Sequence, residues 1–286
     1  MPQDVYHSTG ETRYIAFFDF DETYFPHACT EEQLMMVYEL EEYLQWLASE
    51  QHVKIGWVTG SSLTQVEEKM KKARMRYLPH FISSNLGTEM WEVHASQCYR
   101  PIPEWEKRIA RSGFSHGVVQ EILDDLKNIY SIKLTPQTQF GQGTYKMNYY
   151  YYPASDTGVD YHLGIIRQLA FNHGVGININ RCNPKAGDPE NAYDVDFIPK
   201  GTGKKAAVSF MKKHYNVPSS RTLAFGDSGN DLEMVKTVEH GYLLGNATEE
   251  AKRKHDFITE GEYGKGIMEV CGRVFSRKEW DSAMER

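Results

Sequence analysis

The chain has 286 residues, 40% of them hydrophobic and 25% charged, and a formal net charge of −7. That length accommodates two domains, and no stretch approaches the roughly 20 apolar residues of a membrane helix. The acidic balance argues against a duplex nucleic-acid partner, which calls for a basic stripe.

Residues 1–13 are polar and lack the apolar core of a signal peptide, so a cytoplasmic location is expected. Tyr14 to Phe18 is a short apolar run ending in acids and predicts a buried strand. Glu32 to Ser49 carries Leu34, Val37, Tyr38, Leu40, Leu44 and Leu47 at steps of three or four, which predicts a helix. Val53 to Val58 predicts a second strand, Leu63 to Lys72 a helix, and Phe81 to Ser83 a third strand. Strands alternating with helices point to a parallel sheet.

The pattern changes after Leu86. Met90 to Val93 and Thr144 to Tyr152 predict strands of mixed polarity, and Val118 to Ile129 and Tyr161 to Asn172 predict helices. Val175 to Asn180 and Val195 to Ile198 alternate apolar with polar residues. The α/β pattern then resumes with a helix over Lys204 to His214, a strand over Thr222 to Phe225, a helix over Asp231 to Val238 and a strand over Tyr242 to Leu244. The expected organisation is a core from residues 1–86 and 199–286, interrupted by an α+β block over 87–198. Cys29, Cys98, Cys182 and Cys271 form no C-x-x-C pair, and none of the 11 histidines has ligand-like spacing, so zinc and dithiol sites are not expected.

The chemistry concentrates at strand ends. Asp19 and Asp21 stand two residues apart after the first strand, and extended backbone points such residues the same way, toward the carboxyl edge where open α/β sheets bind ligands. Close carboxylates are tolerated beside a cation or when one holds a proton. Both conditions suit phosphoryl transfer, with one aspartate as nucleophile and the other as acid and base. Gly226-Asp227-Ser228-Gly229-Asn230-Asp231 closes another strand. Asp19 and Asp227, with a backbone carbonyl near Asp21, would make an open magnesium site, with Asn230 and Asp231 behind it. Thr59, before Gly60-Ser61-Ser62, suits a phosphoryl oxygen at a helix start, although Ser61 or Ser62 also reads as an N-cap. Lys204 heads a helix, where its ammonium would neutralise phosphate. Gly203-Lys204 fails the P-loop spacing, because Ile198 stands five before Gly203 and Lys205 replaces the required hydroxyl residue.

In order and spacing this set resembles the haloacid dehalogenase superfamily, in its Cof-like and sucrose-phosphatase branch. The resemblance implies an α/β fold: a Rossmann-like parallel-sheet core with an inserted α+β cap of the C2 type. It makes Asp19 the nucleophile, Asp21 the general acid and base, Thr59 and Lys204 the phosphoryl clamp, and Asp227 a ligand completing a Mg2+ site. It also implies a small-molecule sugar phosphate as substrate and an aspartyl-phosphate intermediate. The runs Phe20 to His27, Gly56 to Ser62, and Asn178 to Pro189 are similar to the members of this branch that free an aminosugar antibiotic from its 6-phosphate. Many members carry Arg after Thr-Gly, where this chain has Ser61, which counts against a plain sucrose-phosphate substrate. Another hexose phosphate, a phosphomutase, and a silent sugar-phosphate-binding protein stand as alternatives. The oligomeric state is left open.

Specificity among sugars is expected in the inserted block, because the core chemistry meets only phosphate and metal. An aminosugar ammonium favours a nearby carboxylate, and its hydroxyls need paired donors and acceptors. Lys146, Asn178, Asn180, Arg181 and Asp188, with Ser61 of the core, are the candidates. Tyr149 to Tyr152 could stack on a sugar but fits sheet packing better.

Overall fold

The computed structural model describes residues 4–8, 10–95, 98–137, 143–155, 157–182, 184 and 188–275. In chain order the elements are β1 (Asp4–Val5), β2 (Tyr14–Phe18), α1 (Glu31–Glu50), β3 (Val53–Val58), α2 (Leu63–Ala73), β4 (Tyr77–Leu78), β5 (Phe81–Ser84), β6 (Glu89–His94) and β7 (Cys98–Pro101). Next come α3 (Pro103–Ala110), α4 (His116–Tyr130), β8 (Leu134–Pro136), β9 (Met147–Tyr151), α5 (Val159–Asn172), β10 (Val175–Arg181) and β11 (Tyr193–Pro199). The chain ends in α6 (Lys204–His214), β12 (Thr222–Gly226), α7 (Leu232–Val235), β13 (His240–Leu243), α8 (Glu249–Lys252) and α9 (Tyr263–Val274).

Two compact units result, Met1–Ile102 with Lys204–Arg286, and Pro103–Gly203. The first is built on a seven-stranded sheet of order β13-β12-β2-β3-β5-β6-β7. Five strands run parallel, from β13 through β5. The last two return antiparallel along one edge. The sheet is therefore the expected parallel core, extended by an antiparallel edge. Residues Met90 to Val93, expected in the inserted block, lie in β6 on the core sheet, and the unit boundaries fall at 102/103 and 203/204. The reason is hydrogen bonding: β6 pairs with β5 over Phe81 to Ser84, and β7 pairs with β6.

Consecutive residues Ile15, Ala16, Phe17 and Phe18 of β2 are all fully buried, so both faces of the sheet centre are covered, as parallel strands require. On one face Phe18 stacks on Phe225 at 5.3 Å between centroids, and Phe20 meets Trp57 at 4.8 Å. Leu40, Leu44 and Leu47 of α1 and Ile267 and Val270 of α9 join this core. The parallel order brings the ends of β2, β3 and β12 side by side, and the acidic loops hang from those ends.

The second unit holds an antiparallel sheet of order β10-β11-β9-β8. Its alternation divides the residues cleanly. Val195 and Phe197, Met147, Tyr149 and Tyr151 pack with Val119, Ile122 and Leu126 of α4 and Leu163 and Ile166 of α5. The even-numbered residues of β9, β10 and β11 lie on the other face. Among the described residues no helix is long and apolar enough to cross a membrane.

Candidate active site

Asp19 follows β2, and its backbone N–H donates to the Phe225 carbonyl at 2.9 Å, which ties the end of β2 to the end of β12. Asp227 follows β12, and Thr23 donates to its carboxylate at 3.2 Å from a fully buried position. Asp231 turns back on the same loop and accepts from the backbone N–H groups of Asp227 and Ser228, each at 3.1 Å. That turn needs Gly226, because a Cβ there would lie 2.3 Å from the Asp231 Cβ. Lys204, the first residue of α6, is buried and donates to Asp19 at 2.5 Å and to Asp231 at 2.6 Å.

Carboxylate oxygens of Asp19, Asp227 and Asp231 lie within 4.8 Å of one another. Three buried carboxylates thus cluster, and one ammonium pairs with two of them. Burial and the charges of Asp231 and Asp21 push the Asp19 carboxyl up to about 7, against the pull of Lys204. Burial, Asp19 and Asp231 push Asp227 up as well. Burial would lower Lys204, but Asp19 and Asp231 hold it above its ordinary value. An oxygen-only donor set with excess negative charge fits a hard divalent cation, which would relieve the repulsion. Of the expected ligands, the side chains of Asp19 and Asp227 come together. Asp231 is the third member of the cluster, but Lys204 and two backbone N–H groups already engage it, which suits a supporting role. Asn230 accepts from Ser228 at 3.1 Å instead of touching the cluster.

The Asp21 carboxylate has its own partners. Oδ1 accepts from His27 Nε2 at 2.7 Å and from the Lys69 ammonium. Oδ2 accepts from Ser61 Oγ at 2.7 Å and from Thr59 Oγ1 at 3.4 Å. Burial would raise this carboxyl, but the His27 bond, the Lys69 charge and bond, and the Ser61 bond hold it well below the usual carboxylate range. With its side chain so occupied, Asp21 has its backbone carbonyl to offer a cation. Ser62, not Ser61, caps α2, in a capping box with Gln65. Ser61 accepts from Lys69 Nζ at 3.0 Å, so a cation from α2 stands beside the Thr59 loop. Reading the sequence alone missed Lys69, His27 and the role of Thr23. Thr23 was available in the D-x-D-x-T spacing; a lysine in mid-helix gives no such signal.

In the second unit Asn178 and Asn180 do share a face, with Asp196 and Asp194 opposite them on β11 and Asn148 and Tyr150 beyond on β9. Asn148 and Asn178 donate to the two oxygens of Asp196 at 2.9 and 3.0 Å. Gln137 donates to Asp194 at 2.8 Å. Asp188 lies close enough to Asp194 and Cys182 for their ligand atoms to fall within 4.8 Å. Burial, Asp196 and Asp188 push the Asp194 carboxyl up to about 7. Burial with Asp194 and Asp188 also drives the Cys182 thiol upward, so it is a poor thiolate ligand. Arg181 is not brought into this group: it is exposed at the end of β10, on the alternate side from Asn178 and Asn180. Lys146 lies half-buried just before β9. Tyr149 and Tyr151 pack against the helices, and Tyr150 clusters with Cys182 and Ala192. Asp194 and Asp196 were missed, although Tyr193 to Phe197 alternates in the same way as Val175 to Asn180. Asn183 and residues 185–187 of the Asn178 to Pro189 run lie outside the described residues.

Comparison with known proteins gives four concordant findings. Residues 12–273 match the family model described as sucrose-6F-phosphate phosphohydrolase. Kanosamine-6-phosphate phosphatase of Bacillus subtilis is 48% identical over 262 residues, covering 92% of this chain and 93% of that protein. The crystal structure of a haloacid dehalogenase-like hydrolase from Bacillus subtilis superposes with a TM-score of 0.72 at 44% identity, over 96% of this chain and 95% of the other. The sucrose-phosphatase of Synechocystis, solved with sucrose and phosphate, shares the fold at a TM-score of 0.71 and 20% identity, over 92% and 98% of the two chains.

Proposed function

Because the chain belongs to the sucrose-6F-phosphate phosphohydrolase family of the haloacid dehalogenase superfamily, we propose that it is a magnesium-dependent phosphatase releasing kanosamine from kanosamine 6-phosphate. The observation that carries the phosphatase reading is the gathering of Asp19, Asp227 and Asp231 around the buried Lys204 at the carboxyl ends of β2 and β12. Similarity to kanosamine-6-phosphate phosphatase supports the substrate. So does the acidic, amide-rich face of the second unit, which favours a sugar bearing an ammonium. On this reading the second unit is the specificity domain. The enzyme then works in the cytoplasm, on the route to an aminosugar antibiotic.

Asp19 attacks phosphorus, forming an Asp–O–P bond as the bond from phosphorus to the sugar oxygen breaks. Asp21, held ionised at rest by its partners, first takes up a proton from solvent as the negatively charged substrate binds, and delivers it to that oxygen. A water then displaces phosphate from Asp19 and gives a proton to Asp21, which releases it to solvent, so each residue returns to its starting state. Thr59 and Lys204 hold the phosphoryl group, and Lys204 also keeps Asp19 apart from Asp231. Asp19, Asp227 and the Asp21 backbone carbonyl would hold magnesium, which would supply positive charge to the phosphoryl oxygens.

The test is inorganic phosphate release from kanosamine 6-phosphate beside glucose 6-phosphate, glucosamine 6-phosphate and sucrose 6-phosphate. Kanosamine 6-phosphate should be fastest, Asp19→Asn should fall to background, and EDTA should silence a reaction that added magnesium restores. Equal rates on all four sugars would remove kanosamine from the assignment. An isomerised sugar phosphate without free phosphate would indicate a mutase, and binding without turnover a silent binder.

A further inference from the structure

The proposed mechanism uses Asp21 twice, and its two oxygens are held in different ways. His27 and the Lys69 ammonium both grip Oδ1. Oδ2 faces only hydroxyls, Ser61 Oγ at 2.7 Å and Thr59 Oγ1 at 3.4 Å. Those hydroxyls belong to the loop after β3, where the phosphoryl group is expected.

The grip on Oδ1 is itself braced. His27 sits between two carboxylates, with Nδ1 3.7 Å from Glu22 Oε1. Its backbone N–H donates to the same Glu22 oxygen at 2.8 Å. The other Glu22 oxygen accepts from the Tyr263 hydroxyl at 2.7 Å. Asn246 donates to the Glu22 carbonyl at 2.7 Å and accepts from the Tyr263 backbone N–H at 3.0 Å. Glu22 has a φ of 55°, a left-handed conformation that costs a non-glycine residue and persists where surroundings enforce it. From the other side, Lys69 projects from α2 and also meets Ser61 Oγ at 3.0 Å. His27, Lys69 and Asp21 are each about three-quarters buried, with side chains 24–25% exposed. Charge-assisted bonds in such a setting fix geometry better than surface pairs do.

We propose that Lys69 and His27 are positioning residues: they anchor Asp21 through Oδ1 so that Oδ2 is the oxygen presented to the leaving sugar oxygen, and later to water. This rests on the phosphatase reading above. The transferred proton moves between Asp21 Oδ2 and the substrate oxygen or water; Lys69 and His27 neither gain nor lose one in the step.

A leaving group that needs no proton separates this role from others. The experiment compares wild type, Lys69→Met, Lys69→Arg, His27→Ala and His27→Gln on glucose 6-phosphate or kanosamine 6-phosphate, and on p-nitrophenyl phosphate. The parameter is kcat/KM, which reports the step that expels the leaving group. In Lys69→Met and His27→Ala, kcat/KM on the sugar phosphate should fall about a hundredfold, the scale of a lost general acid, and on p-nitrophenyl phosphate about tenfold less than that. The same variants should show a burst of nitrophenolate followed by slow turnover, because the second step still needs Asp21 against water. Lys69→Arg and His27→Gln keep a donor toward Oδ1 and should recover most of the loss; they also carry the test if the harsher variants fold poorly. Equal losses on both substrates, with no burst, would show a merely structural or phosphate-binding role and overturn the inference. A wild-type protein inert on both substrates would remove the phosphatase reading itself, and this inference with it.

Discussion

Asp19 clusters with Asp227 and Asp231, and Lys204 is the ammonium that pairs with two of the three. Its folded carboxyl titrates at about 7, above the ordinary 3.8, because of burial and the nearby Asp231 and Asp21 charges. A raised carboxyl costs the folded state nothing while protonated in both states. The cost appears as pH rises above 3.8 and is complete above about 7. Asp19→Asn should therefore stabilise the cation-free protein by about 1 kcal/mol at pH 8, and by less at pH 5. Urea denaturation in EDTA at the two pH values measures this. A variant less stable than wild type at pH 8 would mean that the ion pair with Lys204 outweighs the repulsion. The same residues were the legible part of the site. Asp19, Asp21, Thr59, Lys204, Asp227 and Asp231 each close a strand or open a helix, so their place at the sheet edge follows from element order. Lys69 and His27 reach Asp21 through the packing of α2 and the bend after β2, and no local spacing encodes that.

Between elements, His80 ties β3 to β5. Its Nδ1 accepts from the Ile55 backbone N–H at 2.9 Å, and its backbone N–H donates to the Ile55 carbonyl at 2.8 Å. Burial, with the Lys54 ammonium nearby, pushes this imidazole down to about 3 from 6.5. A depressed histidine gives stability that is present above 6.5 and lost as pH falls toward 3, because the unfolded chain takes up the proton first. Acidification below 6.5 should cost up to about 1.4 kcal/mol per pH unit from this residue. His80→Gln, which keeps an acceptor for Ile55, should flatten that slope in denaturation curves from pH 7 to 4; an unchanged slope would clear His80. The helices and central strands near this junction were legible because their apolar spacing is regular. The β6–β7 hairpin was not, since an edge strand of mixed polarity does not announce its partner. Helix α9 shows Ile267, Val270 and Cys271 at helical spacing, but Gly264 and Gly266 argue against a helix. Those glycines answer to packing: a Cβ at Gly264 would lie 3.1 Å from Met36, and one at Gly266 2.4 Å from the Gly261 carbonyl oxygen.

Across the whole molecule, the two units divide the chemistry. The first carries the phosphoryl site, whose residues meet nothing of the sugar beyond its ester oxygen in the proposed steps. On the proposed reading, discrimination among sugars rests with the second unit, where the polar sheet face holds Asp194 and Asp196 with Asp188 close by. Asp194 is pushed up to about 7 by burial and by its carboxylate neighbours, against the opposing hydrogen bonds of Gln137 and Cys182. Such a group is unfavourable as a lone anion and favourable beside an ammonium. A neutral sugar gives it no compensation, whereas an aminosugar does. The KM for kanosamine 6-phosphate should therefore rise as pH falls through about 7 and Asp194 takes up a proton, while the KM for glucose 6-phosphate changes less over the same window. Asp194→Asn should flatten that dependence and reduce the preference for kanosamine 6-phosphate over glucose 6-phosphate about tenfold, the scale of an unpaired polar group in a specificity pocket. Steady-state kinetics of both substrates between pH 6 and 8 decide it. Parallel profiles in wild type, or a preference unchanged in the variant, would take the sheet face out of sugar recognition and leave the phosphoryl site as assigned.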